Sequence, residues 1–450
     1  MARGDTIVMR LVRTLSLVIF VACLLLMATS HAEEEPGQVI QLRLVWSRSA
    51  ADRVISEEAG FPPLEIRAEL ERKDVPEADK EWLLNALRIT AARNDRILYT
   101  DEGRVIELPQ NGLLRWHIAT SKNYKYLMLC PLRWDWEAKS RMESIASTPP
   151  HDPTFSAERV EVAKRNLEEY ELLEKESDFI LMDWKGSELW GRHDMPDRVC
   201  ISDDGRTLVA TQRDHHFASA SFYDEKGQLV RKAEFPYGAG GNADLSADGS
   251  LFVVIAGLAS EDGYSTIIAY DREGEMLWQR RVLGKPAVGG DARRIFVSTT
   301  GEFVAISLYS AGETYLFNRS GDLVGTFDVV TGWAAYSAAD DYAVLIGRGS
   351  VRLVKTEEGR VVWGTEGEST ERVVMDPKGD FLVLLGRSRS PEDPGECQIE
   401  VISRAGERMC RETIKGTTGK WPDCHISVEG SFVMIDTGPV LALYDFTGLR

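Results

Sequence analysis

With 450 residues, 43% of them hydrophobic, the chain can bury a large core and suits one large repeat domain or two to three ordinary ones. Its formal net charge of −18 disfavours non-specific binding to nucleic acid or to an anionic membrane surface, since that affinity comes from Lys and Arg neutralising phosphates. The six cysteines include no CxxC pair, which argues against a zinc knuckle or a thioredoxin-type redox centre.

Residues 1–32 read as a secretory signal peptide. Arg3, Arg10 and Arg13 make a basic n-region, Thr14 to Ala28 is an apolar run too short for a comfortable bilayer span, and Ser30-His31-Ala32 sets small residues before a cut at Glu33. Removing three Arg and one Asp takes the mature chain from −18 to −20. Cys23 after Val21-Ala22 resembles a lipobox, but the apolar run continues through Met27, so the expectation is an exported, periplasmic or extracellular protein rather than a lipid-anchored one, with no integral span after cleavage. Cys130, Cys200, Cys397, Cys410 and Cys424 survive the cut. One must be unpaired in a monomer, and export allows a disulfide among the last three.

Residues 33–95 do not fit the repeat of the later chain and are expected to form an N-terminal cap or small α/β subdomain. VIQLRLVW, 39–46, alternates like a strand. Pro76 to Asn94 reads as a helix with Pro in its first turn and Trp82, Leu83, Ala86, Leu87 and Ala91 at helical spacing, a stripe whose ordinary use is packing. RILYTDEGRVIELP, 96–109, has a hairpin signature around Asp101 and Gly103, and 113–129 reads as two more strands. An insertion at about 138–177 then interrupts the pattern, ending in a charged helix with Val160, Ala163, Leu167, Tyr170 and Leu173 on one face. Long insertions in regular loops are often partner-facing.

From Phe179 one phrase recurs: an apolar run, Asp or Asn, two residues, Gly, then another apolar run. Examples are FILMDWKGSELW at 179–190, TIIAYDREGEMLW at 266–278, TYLFNRSGDLV at 314–324 and VRLVKTEEGRVVW at 351–363. A second phrase alternates with it, as in ISDDGRTLVA at 201–210, LSADGSLFVV at 245–254 and ISVEGSFVMI at 426–435. Ser and Asp side chains bond turn backbone and Gly accepts positive φ, so each unit is four strands joined by tight turns, at the forty-to-fifty-residue period of propeller blades. Asn318-Arg319-Ser320 matches a glycosylation sequon, yet it occupies such a turn, where Asn serves the backbone.

The S-x-D-G turns resemble those of WD-repeat and TolB-type propellers, and DREGEMLW, TEEGRVVW and DWKGSELW resemble pyrroloquinoline-quinone-like repeats. The resemblance implies an all-β propeller in which Trp190, Trp278 and Trp363 pack between blades, and it implies no cofactor. Units beginning near Val199, Ala243, Ile295, Ala335, Val373 and His425, with the interrupted unit 113–193, give seven blades within a domain spanning 96–450, six being the alternative. The last unit stops after its third strand, and RVIELP, 104–109, is expected to supply the fourth, because an unclosed ring would leave sheet edges open.

The loops between blades and between second and third strands should converge on one face. The candidate ligand-binding residues there are His193, Asp194, Arg213, His215, His216, Tyr237, Trp333 and Trp421. Arg213 to His216 looks the most chemical, but adjacent histidines in an extended loop point opposite ways and no HExxH spacing supports a metal, so no catalytic or metal residue is assigned. The expected function is a non-enzymatic binder of a protein, peptide or glycan. The rivals are a hydrolase, lyase or degenerate quinone-dependent oxidoreductase with a site at the axis, and an envelope scaffold.

Overall fold

Seven four-stranded antiparallel sheets, six of them built from strands consecutive in sequence, make up seven blades of a β-propeller. The computed structural model describes residues 42–49, 62–95, 97–99, 105–107, 116–131, 142–149, 156–176, 179–183, 187–192, 196, 198–213, 217–236, 242–256, 264–283, 294–308, 312–347, 349–366, 370–387, 396–415, 422–437 and 440–447. With strands a to d counted outward, strands a are Trp116–Thr120, Arg198–Ile201, Ala243–Leu245, Arg294–Val297, Trp333–Tyr336, Thr370–Met375 and Asp423–Ile426 in blades 1 to 7. They pack on one another in that order.

Most of the tight turns are built by one short side chain. In the a–b turns the Ser202, Ser298, Ser337 and Ser427 hydroxyls accept the amide five residues on, at 3.0–3.2 Å. In the c–d turns Asp224, Asp271 and Asn318 accept the amide four residues on, at 2.7–2.8 Å. The glycine then takes positive φ. At Gly321, φ is 78° and a Cβ would lie 2.7 Å from the Trp278 ring, so both conformation and contact require Gly. Trp278 lies in strand d of blade 3 and donates from Nε1 to Arg319 O in blade 4 at 2.8 Å. Trp363 of blade 5 does the same to Arg404 O of blade 6 at 3.0 Å, and Trp190 of blade 1 covers Gly227 of blade 2. The repeated Asp, Gly and Trp therefore build blades and the seams between them.

A second set of seams runs turn to turn. Asp203 N donates to Ala247 O at 2.6 Å, Ala247 N to Thr299 O at 3.0 Å, and Ala338 N to Pro377 O at 2.8 Å. Between blades 4 and 5 a carboxylate replaces the carbonyl: Thr299 N and Thr300 N donate to Asp340 at 2.9 and 3.1 Å. Pro377 has no N–H to pass on, so this amide relay cannot continue from its position into blade 7.

The ring closes differently from the expectation. Arg43–Ser49 pairs antiparallel with Val440–Asp445 and is strand d of blade 7, while Val105–Glu107 pairs only with Ile97–Tyr99 in a separate hairpin. Both segments alternate like strands, and no local signal says which one finds a partner some four hundred residues away. Arg43 and Leu44 lie opposite Asp445 and Tyr444, and Arg43 also ion-pairs with Asp445 at 2.8 Å.

Helices α1 (Leu64–Leu70) and α2 (Glu77–Asp95) fill the seam between blades 7 and 1. The α2 stripe Trp82, Leu83, Ala86 and Leu87 is buried against Ile118, Leu127 and Leu129 of blade 1 and Phe432, Met434 and Leu443 of blade 7; Ala91 has its side chain outside the described residues. Asp79, fully buried in the first turn of α2, accepts Glu429 N at 2.6 Å and Ser431 N at 3.0 Å, so it holds the blade 7 turn. The charged helix α3 (Ala157–Glu176) lies between strands b and c of blade 1, as the insertion predicted.

The expected disulfide is absent among the described cysteines. Cys397, Cys410 and Cys424 are free thiols buried in one apolar cluster. Cys397 faces Ile414 and Cys410 faces Val401, four residues apart along paired strands, or about 13 Å, beyond disulfide reach. Burial raises Cys397 and Cys410 to about 12, so they are inert as nucleophiles.

Candidate functional site

Strand a of every blade ends at the same point, the Ser (Asp376 in blade 6) that opens its a–b turn, so its positions can be compared level by level. Four residues before that point stand His117, Arg198, Asn242, Arg294, Trp333, Arg372 and Asp423 in blades 1 to 7. Strand b pairs confirm the level: Arg198 faces Thr211, Arg294 faces Ser307, Trp333 faces Ile346, Arg372 faces Leu385 and Asp423 faces Asp436. Two residues before the turn stand Ala119, Cys200, Asp244, Phe296, Ala335, Val374 and His425. Between these levels the chain is mostly buried, as at Val199, Ile295, Val373 and Cys424, while the two levels themselves are mostly part-exposed at the inner edge of the ring. They line the axis.

Around Trp333 the lining is tightly organised. The Arg372 guanidinium lies over the Trp333 ring, 4.4 Å from its centroid, with Nε 3.7 Å from Asp423. Phe296 meets Trp333 edge-on at 6.3 Å, and Trp333 Nε1 donates to Val373 O at 3.0 Å, fixing the ring. Asp423 lies 3.5 Å from His425 Nε2, and His425 packs edge-on against Tyr124 of blade 1 at 5.2 Å. Beside them Glu371 is raised by burial, opposed by Arg387 at 3.2 Å and by Arg372.

On the other side of the axis burial raises Cys200 to about 11, with Arg198 and Lys122 opposing the shift and Asp244 adding to it. Burial likewise raises Asp203, which accepts Asn123 N at 2.9 Å. Asp244 accepts Leu245 N and, in the next blade, Val297 N, at 2.9 and 2.8 Å. Lys122, in the blade 1 a–b turn, donates from Nζ to Val297 O of blade 4 at 3.0 Å. Three blades on in a ring of seven is the opposite side, so Lys122 crosses the axis at its a–b end.

Of the eight residues expected from sequence to form the site, Trp333 is the one the structure places, at the axis. His193, Asp194, His215, His216, Tyr237 and Trp421 lie outside the described residues, and Arg213 ends strand Leu208–Arg213 with its side chain outside them. Arg198, Arg294 and Asp423 open their strands and Arg372 lies within one, and none of them is singled out by the loop sequences. Their signal is a position, the fourth before each turn-opening Ser or Asp, where the repeat stops repeating. No three His, Cys, Asp or Glu side chains converge as a metal-ligand set among the described residues.

No family model matches the sequence, and no curated protein matches it. The fold is similar to solved propellers. One is KlHsv2 with loop 6CD replaced by a Gly-Ser linker, at TM-score 0.46 and 10% identity over 72% of this chain and 89% of that one. Another is the Myceliophteria thermophila Cps50 (Swd1) β-propeller domain, at 0.41 and 9% over 75% and 98%. A third is the WD40 domain from Toxoplasma gondii coronin, at 0.38 and 8% over 53% and 63%. The assignment of seven blades rests on the sheets themselves.

Proposed function

We propose that this chain is an exported, non-enzymatic binding propeller that takes a protein or peptide partner at the axis, on the end where the blade-to-blade connections lie. The observation that carries the reading is the contrast between levels of strand a. Residues that build turns and seams recur from blade to blade, whereas the axial level four before the turn changes almost every time and holds a preset group, Arg372 between Trp333 and Asp423. An aromatic ring and a guanidinium fixed side by side are the residue types that anchor interfaces. The export half rests on residues 1–32, and kinship with pyrroloquinoline-quinone-like repeats is supported by Trp190, Trp278 and Trp363 packing one blade on the next.

Two measurements test it. N-terminal sequencing of the secreted protein should begin at Glu33; a chain retaining residues 1–32 ends the export reading. A photo-crosslinking amino acid at Trp333 should capture a discrete partner absent when the same group replaces Lys232 on the outer strand of blade 2. Equal capture at both positions sinks the axial reading, and capture of a glycan alone replaces the protein partner by a sugar.

A further inference from the structure

We infer that the axis is an anion-binding site, built to take the carboxylates of an acidic peptide segment of the partner; this rests on the axial reading above and names its ligand chemistry. The first observation is one of sign. The chain carries −18 overall, yet the level four before the turn holds Arg198, Arg294 and Arg372, in blades 2, 4 and 6, and Lys122 crosses the axis below them. Alternate blades spread the three guanidinia around the axis rather than along one wall.

The axial carboxylates offset these cations only in part, Asp423 at Arg372 being the one that does. At the two lining levels they are Asp244 and Asp423. Asp244 is occupied by the backbone amides of Leu245 and Val297. Asp423 accepts Cys424 N at 3.1 Å and stands between Arg372 and His425. Arg294 is exposed and, among the described residues, its side chain makes no hydrogen bond or ion pair. Arg372 is held in place by the Trp333 face and by Nη1 donating to Glu371 O at 3.1 Å. A guanidinium fixed in this way loses little freedom when it binds, and its planar fork suits a carboxylate.

Asp423 also indicates the class of anion. The structure already seats one carboxylate 3.7 Å from Arg372 Nε, beside an indole ring, so a ligand carboxylate needs no new geometry there. A protein this acidic would otherwise repel an acidic peptide at long range; the site concentrates positive potential where such a peptide can reach it.

The probe is fluorescein-labelled deca-glutamate, followed by anisotropy on the full mature protein, with a neutral Gly-Ser decapeptide and inorganic phosphate as competitors. Deca-glutamate should bind, weaken steeply with salt, and lose about tenfold or more in affinity in Arg294→Ala and Arg372→Ala. Lys232→Ala should leave it unchanged, and Asp423→Asn, which removes the internal competitor, should tighten it. Because Arg294 supports no other described group, its variant should melt like the parent, and loss of binding there reads the site rather than the fold. Affinity indifferent to Arg294→Ala and Arg372→Ala, or equal binding of the neutral peptide, overturns the inference. So does binding of inorganic phosphate, read by calorimetry with the same arginine dependence, where deca-glutamate does not bind. If crosslinking at position 333 still captures a partner after Arg294→Ala and in high salt, the binding reading stands and the anionic one falls; no capture at all removes both.

Discussion

The seam between blades 7 and 1 and the seams between the other blades solve one problem with different materials. At several other seams a blade presents its a–b turn amide to the next blade's turn, and at three of them a strand d Trp to the next blade's glycine. At the closing seam a helix does both jobs: Asp79 takes the Glu429 and Ser431 amides, and the Trp82 to Leu87 stripe supplies the apolar surface. The position that is Gly in five a–b turns is Asp340 in blade 5 and Tyr124 in blade 1, both at positive φ near 60°. Each uses the strained backbone. Asp340 binds the blade 4 turn, and Tyr124 packs against Trp82 at 6.1 Å and His425 at 5.2 Å. What a repeat protein cannot obtain by repetition it obtains from irregular residues placed at its joint.

The strongest way to break this comparison is at the helix. Leu87 is fully buried between blades 1 and 7, so Leu87→Asp puts a charge where nothing can pair with it and should leave no cooperative unfolding transition by circular dichroism. Trp278→Ala, in an ordinary seam, should cost about 3–5 kcal/mol in urea unfolding but leave a folded ring. A ring that tolerates the first better than the second would mean that the helix is an ornament and not a joint.

Smaller changes sharpen it. Asp79→Ala leaves two turn amides without their acceptor and should cost about 2–4 kcal/mol, measured by the same unfolding. Tyr124→Gly relieves the backbone but removes an aromatic from the joint, and should still destabilise, by about 1–3 kcal/mol, where an ordinary surface Gly at this φ would stabilise.

The smallest effect is in pH. Arg43 and Arg72 share the carboxylates of Glu69 and Asp445, tying strand d of blade 7 to α1. Burial pushes Asp445 up, but the Thr447 amide, Arg72 and Arg43 bring it down to about 2, below its ordinary 3.8. A depressed carboxylate stabilises the fold fully above its unfolded value and loses that contribution as pH falls through its folded value. Thermal stability should therefore drop between about pH 4 and pH 2, and Asp445→Asn should remove that part of the drop; an unchanged profile would show the clasp to be inert.

The blades were legible because a period is visible in sequence: Ser202, Ser298 and Ser427 open the same turn, and Gly321 meets Trp278 as the strand-turn-strand phrase implied. The closing strand was not, since alternation in 39–46 and in 104–109 carries the same information and only the distant partner distinguishes them. Helix α1 has a seven-residue span with no period to announce it. At the axis Trp333 stands out as an aromatic near a loop, whereas Arg198 and Arg294, at the starts of strands, and Arg372, within one, look like ordinary polar residues until the blades are laid in register.

Arg43 and Asp445 stand 402 residues apart in sequence yet share one strand pair. That separation sets an order of events. The strand that completes blade 7 is made long before Val440–Asp445 and has nothing to pair with until that segment follows it. Until then blade 7 lacks its outer strand, and α2 lacks one of the two walls it fills between. Folding of this propeller is therefore committed only once Val440–Asp445 is made, and a chain cut before Val440 should accumulate as protease-sensitive, aggregation-prone material rather than as a six-bladed ring.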